Sequence, residues 1–267
     1  MGRIEAAFNK LKQDGKPGFI PFITAGDPDL ETTAELLVEL ANAGASVIEL
    51  GVAFSDPMAD GPVIQRASER ALEHGFGLKE IFALTAKVRV KIETPLVLFS
   101  YFNPLLQYGI DKLARDARGA GIDGILVTDL TPEESQEFAA ALKLNELDMI
   151  FLVAPTSTDE RLRLISAHAS GFVYAVSRAG VTGAREKLSG EAELLVARVR
   201  KVSSLPVAVG FGISNAEQVS ETLRYADAAV VGSAIVAQIE KLSGSTDLVK
   251  EVGRYVRRLI SAGAKTA

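Results

Sequence analysis

Short apolar runs alternate with amphipathic stretches from one end of the chain to the other. Runs rich in Val, Ile, Leu and Phe predict strands over 18–24, 46–52, 95–101, 124–128, 149–153, 171–176, 206–209 and 228–231. Between them, apolar residues at helical spacing predict helices over 30–43, 78–92, 111–120, 132–144, 159–167, 192–202 and 216–225. Strands joined by helices predict a parallel sheet with right-handed crossovers, and eight of them match a closed (β/α)8 TIM barrel. A doubly wound open sheet is the alternative; its usual complement of roughly five to seven strands favours closure here. No linker, low-complexity stretch or charge block divides the chain, so residues 1–267 read as one barrel domain. Two helices exceed the minimal pattern. One, over 1–13, could plug the barrel bottom, and a short one follows at 62–74. The long connection 177–190 carries Gly180 and Gly183 and reads as a lid.

The segment 47–65 holds the most informative chemistry. In Val47-Ile48-Glu49-Leu50-Gly51-Val52, period-two alternation puts Ile48, Leu50 and Val52 on one side and Val47, Glu49 and Gly51 on the other. If the first side packs under helices, Glu49 points inward, where a carboxylate is costly unless paired, hydrogen-bonded or protonated. Asp60 follows on a loop rich in Asp, Pro and Gly. A desolvated acid beside a loop acid makes a general acid/base pair. The alternative is a structural Glu bonded within the core and an Asp capping the next helix.

Composition narrows the function class. With 48% hydrophobic residues the 267-residue chain has material for a large core. A net charge of −5 without a dense Lys/Arg run argues against a nucleic-acid surface. The absence of cysteine excludes disulfides, thiolate catalysis and zinc–thiolate sites. The start reads as an amphipathic helix rather than a cleavable signal, and no apolar run approaches the ~20 residues that span a bilayer. The expectation is a soluble, cytoplasmic protein.

Barrel chemistry sits at the carboxyl ends of the strands, where both acids fall. Strands 7 and 8 end in Gly210-Phe211-Gly212-Ile213-Ser214 and Gly232-Ser233-Ala234. Glycine-rich turns feeding helix N-termini offer N–H donors to an anion, and two on adjacent strands favour a phosphorylated substrate. Phe22, Phe99, Tyr101, Leu126 and Tyr174 lie near strand ends and could wall a flat apolar ligand, although ordinary barrel core explains them equally. His74 and His168 are far apart, so no metal site is expected. No predicted strand contains the lysine a Schiff base would need. Asp129 is either functional or a cap for 132–144; Asp27 and Asp29 read as turn and cap residues.

Taken together these segments resemble the tryptophan synthase alpha family. The likeness rests on Pro21-Phe22-Ile23-Thr24-Ala25-Gly26-Asp27-Pro28, Glu49-Leu50-Gly51-Val52, 54–65, Tyr101-Phe102-Asn103-Pro104, Ala154-Pro155-Thr156-Ser157, 177–183, 209–214 and 231–236, in order along the chain. The resemblance implies a TIM barrel that cleaves indole-3-glycerol phosphate to indole and glyceraldehyde 3-phosphate. By residue matching, Glu49 would protonate the departing indole carbon and help deprotonate the glycerol hydroxyl, while Asp60 would bond the indole N–H. Gly183, Gly212, Gly232 and Ser233 would hold the phosphate. Phe22, Tyr101, Tyr174 and Phe211 would border the indole, and Thr182 on the lid would order Asp60. No cofactor and no metal are implied for this chain. Pyridoxal phosphate would belong to a beta-subunit partner in an αββα hetero-tetramer.

Three positions depart from the family pattern: Ala53 stands where Pro precedes Phe-Ser-Asp-Pro, the strand-4 exit reads Val127-Thr128-Asp129-Leu130-Thr131-Pro132, and Ala179 replaces a hydroxyl residue. The first two fall on loops that the resemblance assigns to the partner interface, with Asp56 and Pro57 beside Ala53. Losing Pro raises the entropy cost of ordering such a loop, so partner coupling would weaken or be retuned. A free-standing indole-glycerol-phosphate lyase and a barrel kept as an activator of the beta subunit are the competing readings.

Overall fold

The computed structural model describes residues 1–177 and 190–263. Eight parallel strands close on themselves in chain order: β1 (Gly18–Thr24), β2 (Ile48–Gly51), β3 (Leu96–Ser100), β4 (Gly124–Val127), β5 (Asp148–Val153), β6 (Val173–Val176), β7 (Val207–Gly210) and β8 (Ala228–Val231). The predicted strands thus all form: β1 and β8 as expected, β2, β3, β4 and β6 trimmed at their ends, β5 longer by Asp148 and β7 shifted by one residue. Around them, among the described residues, lie α1 (Arg3–Asp14), α2 (Leu30–Ala43), α3 (Pro62–Glu73), α4 (Leu78–Arg89), α5 (Phe102–Tyr108), α6 (Ile110–Gly119), α7 (Gln136–Leu144), α8 (Asp159–His168), α9 (Glu191–Val199), α10 (Ala216–Thr222), α11 (Ser233–Leu242) and α12 (Leu248–Gly263). Sequence periodicity did not single out α5, α11 or α12. The helix expected from 132 starts only at Gln136, because Glu134 N–H bonds Thr131 O and Ser135 Oγ bonds Pro132 O in a tight turn.

Strand alternation divides the apolar residues into two layers. Ile48, Leu50, Leu96, Leu98 and Ile125 pack outward against the helices. Ile20, Phe22, Val47, Val97, Phe99, Leu126, Ile150, Tyr174 and Val230 fill the interior, as a packed barrel requires. The register sets Phe22 beside Glu49 and Glu49 beside Val97, so Glu49 joins the interior layer.

The first helix closes the floor, as predicted. Ile4 and Phe8 of α1 belong to the interior cluster, and the Phe8 ring lies 5.7 Å from that of Phe172. Side chains leading into one strand also accept N–H groups at the start of another. Phe19 N–H donates to Ser46 Oγ (3.1 Å), Leu96 N–H to Asp123 Oδ2 (2.9 Å), Met149 N–H to Ser170 Oγ (2.9 Å) and Val207 N–H to Asp227 Oδ2 (2.8 Å). Asp123 further pairs with Arg3 and Arg89. The amino-terminal face is thereby fastened, leaving the opposite face for chemistry. Among the described residues no helix is long and apolar enough to cross a membrane.

Candidate active site

A cavity of about 210 Å³ opens at the carboxyl end of the barrel. Glu49 and Asp60 both line it, with Phe22, Phe99, Tyr174 and Phe211 as its aromatic wall. Gly212, Gly232 and Ser233 complete the side nearest β7 and β8. The structure therefore brings together nine of the residues singled out from sequence.

Glu49 is 1% exposed, and among the described residues its Oε1 has no hydrogen-bond partner. Burial alone pushes its carboxyl up to about 8, so at neutral pH it holds a proton. This is not a structural Glu satisfied within the core. Tyr174, facing the same interior, is pushed well up by burial and by the nearby Glu49. Space for these rings depends on missing side chains. A Cβ on Gly51 would lie 2.5 Å from Phe22 Cζ, and one on Gly210 would run into the Tyr174 hydroxyl.

Asp60 sits on the loop between β2 and α3 and is only partly buried. It does not cap α3; Gly61 is the cap residue, followed by Pro62 in the first turn. Its backbone is held instead, with Asp60 N–H donating to Pro57 O (3.0 Å) and Gln65 Nε2 donating to Asp60 O (2.9 Å). Burial raises the Asp60 carboxyl to about 6, opposed by a hydrogen bond from Tyr101. The expected contrast between the two acids holds in order, Glu49 being the more perturbed, but Asp60 is also displaced well above an ordinary aspartate.

Two predicted wall residues lie elsewhere. Tyr101 follows the last residue of β3 and becomes the N-cap of α5, which swings it off the strand's alternation. Its hydroxyl accepts Ala59 N–H at 2.9 Å and its ring lies 5.2 Å from Phe54, so it supports the Asp60 loop from behind. Leu126 sits below the cavity, wholly buried in the interior cluster. Gly183 and Thr182 lie outside the described residues.

The two glycine turns differ in construction. Gly232 caps α11 directly, and the helical bonding begins with Ile235 and Val236 N–H onto Gly232 O, leaving Ser233 and Ala234 N–H at the open helix end. The β7 turn is instead a backbone curl, with Phe211 at φ 73° and Gly212 at φ 79°. A non-glycine residue in that region is strained and persists only where surroundings hold it. Ser177 Oγ does so by bonding Phe211 O, and the Phe211 ring packs edge-on to Tyr174 at 5.9 Å. Neutral glycine and helix-end donors suit a phosphate.

Sequence reading missed several supports. Asp27 closes a turn, its N–H donating to Thr24 O at 3.3 Å, but its side chain does more: it is 1% exposed and accepts from both Arg70 Nε (2.8 Å) and Nη2 (3.0 Å). Arg70 and Arg66 on α3 both reach Glu240 on α11. Asp29 does cap α2, bonding Thr32 N–H at 2.7 Å. Asp129 accepts Phe102 N–H at 2.7 Å, capping the start of α5 rather than α7. No cluster of three or more His, Asp or Glu side chains able to hold a metal gathers among the described residues.

Comparison with known proteins agrees with this geometry. The family model for the tryptophan synthase alpha chain matches residues 8–262. The tryptophan synthase alpha chain of Geotalea daltonii is 48% identical over 262 residues, covering 98% of this chain and 97% of that one. The crystal structure of tryptophan synthase subunit alpha from Legionella pneumophila str. Paris superposes with a TM-score of 0.92 at 38% identity, covering 99% of both chains. A chain of the tryptophan synthase complex from Pyrococcus furiosus gives a TM-score of 0.85 at 38% identity, covering 92% of this chain and 99% of that one. The chain belongs to the tryptophan synthase alpha chain family, whose members are lyases of tryptophan synthesis and subunits of a tryptophan synthase complex.

Proposed function

We propose that the chain cleaves indole-3-glycerol phosphate to indole and glyceraldehyde 3-phosphate by a retro-aldol reaction. The observation that carries this reading is a protonated Glu49, its buried Oε1 unpartnered among the described residues, sharing one cavity with Asp60 beside the open end of α11. The phosphate docks on Ser233 and Ala234 N–H and the Gly212 curl, and the indole lies among Phe22, Phe99, Tyr174 and Phe211. Glu49 gives its proton to the ring carbon bearing the glycerol chain, forming an iminium at the ring nitrogen. The Asp60 carboxylate accepts the N–H and stabilises that positive charge. The glycerol hydroxyl next to the ring then surrenders its proton to the Glu49 carboxylate as the carbon–carbon bond breaks. The electron pair returns to the ring, releasing indole and the aldehyde, and Glu49 ends reprotonated. Gly183 and Thr182 join this set as phosphate donor and lid residue.

No cofactor takes part in these steps. The partner is a beta subunit carrying pyridoxal phosphate, in an αββα assembly, and it meets the loop bearing Ala53, Asp56 and Pro57. Support comes from the complex in which the Pyrococcus relative was solved, and from Met58 at the tip of that loop, which is 80% exposed. Indole release from indole-3-glycerol phosphate, with and without a beta subunit and alongside Glu49→Gln, tests the proposal. Slow release accelerated by the partner and lost in Glu49→Gln supports it. Partner-independent fast release indicates a free-standing lyase, and Glu49-independent behaviour removes the chemistry altogether.

A further inference from the structure

Behind the main cavity lies a second void of about 10 Å³, sharing Phe22, Asp60 and Phe99 with it. Its remaining wall joins the polar side chains of Thr24, Ser68, Ser100 and Tyr101 to Gly51, Val52 and Ile64. Thr24 is the last residue of β1 and 2% exposed, yet its Oγ1 has no hydrogen-bond partner among the described residues. An unmatched buried hydroxyl is costly, and strand ends offer easier places for one. Ser68, on the inner face of α3, is buried across from it. The Ser100 hydroxyl spends its proton on Tyr101 O at 2.9 Å and can offer this space only an acceptor. A single water needs a space of roughly 10–15 Å³ and two to four polar partners, which is what this void supplies.

We propose that this void is a one-water site, and that Thr24 is a positioning residue that acts through the water on the Asp60 carboxylate. The water accepts from or donates to Thr24 Oγ1 and Ser68 Oγ and donates to Asp60 on the side away from the ring pocket. Asp60 is thereby held from two sides, by Tyr101 and by water, while its free face meets substrate. The titratable groups facing Asp60 are Tyr101 from the end of β3 and Glu49 across the main cavity. No Lys, Arg or His lines either cavity among the described residues. With no cation nearby, neutral donors are what remain to stabilise the ionised form. The catalytic consequence rests on the Asp60 role proposed above; the water site itself does not.

The test combines a high-resolution crystal structure of the unliganded protein with Thr24→Val, which keeps the shape and removes the hydroxyl. Ordered density between Thr24, Ser68 and Asp60 is expected in the native protein, and its loss in Thr24→Val. The acid limb of kcat/KM should move to higher pH in that variant, with kcat/KM reduced about 5- to 30-fold. Thr24→Ser should restore density, profile and rate together. Absence of density in the native protein overturns the proposal without touching the retro-aldol reading. So does an unmoved pH profile in Thr24→Val despite a lost water. Should Thr24→Val fold poorly, Ser68→Ala removes another partner and is read in the same way. If no retro-aldol activity exists, the Asp60 titration followed by carboxyl NMR in native and variant protein still decides the matter.

Discussion

The Tyr101 hydroxyl accepts the Ala59 main-chain N–H at 2.9 Å and also bonds the neighbouring Asp60 carboxylate. One phenol at the end of β3 therefore fixes both the backbone and the charge of the loop that carries the second acid. Its own ionisation is pushed up by burial and by Asp60, so it remains a donor throughout the working pH range.

Tyr101→Phe removes both bonds while keeping the ring against Phe54. Asp60, now short of a donor, should titrate above its present value of about 6. The acid limb of the kcat/KM profile should shift upward, and activity at pH 7 should fall about 10- to 150-fold, one lost hydrogen bond to a charged group being worth about 1.5–3 kcal/mol. A pH–rate profile on purified variant checks this; an unshifted acid limb would show that Tyr101 does not govern Asp60.

Glu49 links activity to stability. Its native value near 8 lies above the ordinary 4.5, so the native chain binds an extra proton between those pH values and loses stability as pH rises through them. Glu49→Gln carries no such burden. Chemical denaturation should find the variant close to the native protein below pH 4.5 and more stable by a few kcal/mol at pH 8–9, each pKa unit carrying about 1.4 kcal/mol. Equal pH dependence in the two proteins would mean that Glu49 is not desolvated as described.

Arg70 ties three elements together through Asp27 and Glu240. Arg70→Met leaves Asp27 buried without its cation, a change that costs about 3–5 kcal/mol when a buried pair is broken. Burial already holds Asp27 above its ordinary range despite Arg70. Without Arg70 the carboxyl takes up a proton in the native state, so the deficit should shrink as pH falls from 7 towards 4.5. Urea titrations at the two pH values measure it, and a deficit below about 1 kcal/mol at pH 7 would place this pair with ordinary surface pairs.

The barrel was legible because each strand is a short β-branched or aliphatic run and each turn carries a glycine, Asp or Pro. The inward direction of Glu49 followed from alternation alone, and Gly232 marked a helix start correctly. Alternation failed at Tyr101, where α5 begins one residue after β3 ends and the chain no longer follows strand geometry. It could not give depth either, so Leu126 had the right face and the wrong level. Arg70 and Asp27 are 43 residues apart, and nothing local in either segment announces the pair. Thr24 belongs to the 21–28 motif, but its unmatched hydroxyl exists only once β1, β3 and α3 are assembled around it.

The account turns on a protonated Glu49 at neutral pH, and isotope-edited infrared difference spectroscopy of that carboxyl reads it directly. Against Glu49→Gln, the protein should show a carboxylic-acid C=O stretch at pH 6–7 that gives way to carboxylate bands near pH 8. Carboxylate bands already present at pH 6, with no acid C=O stretch, would contradict it.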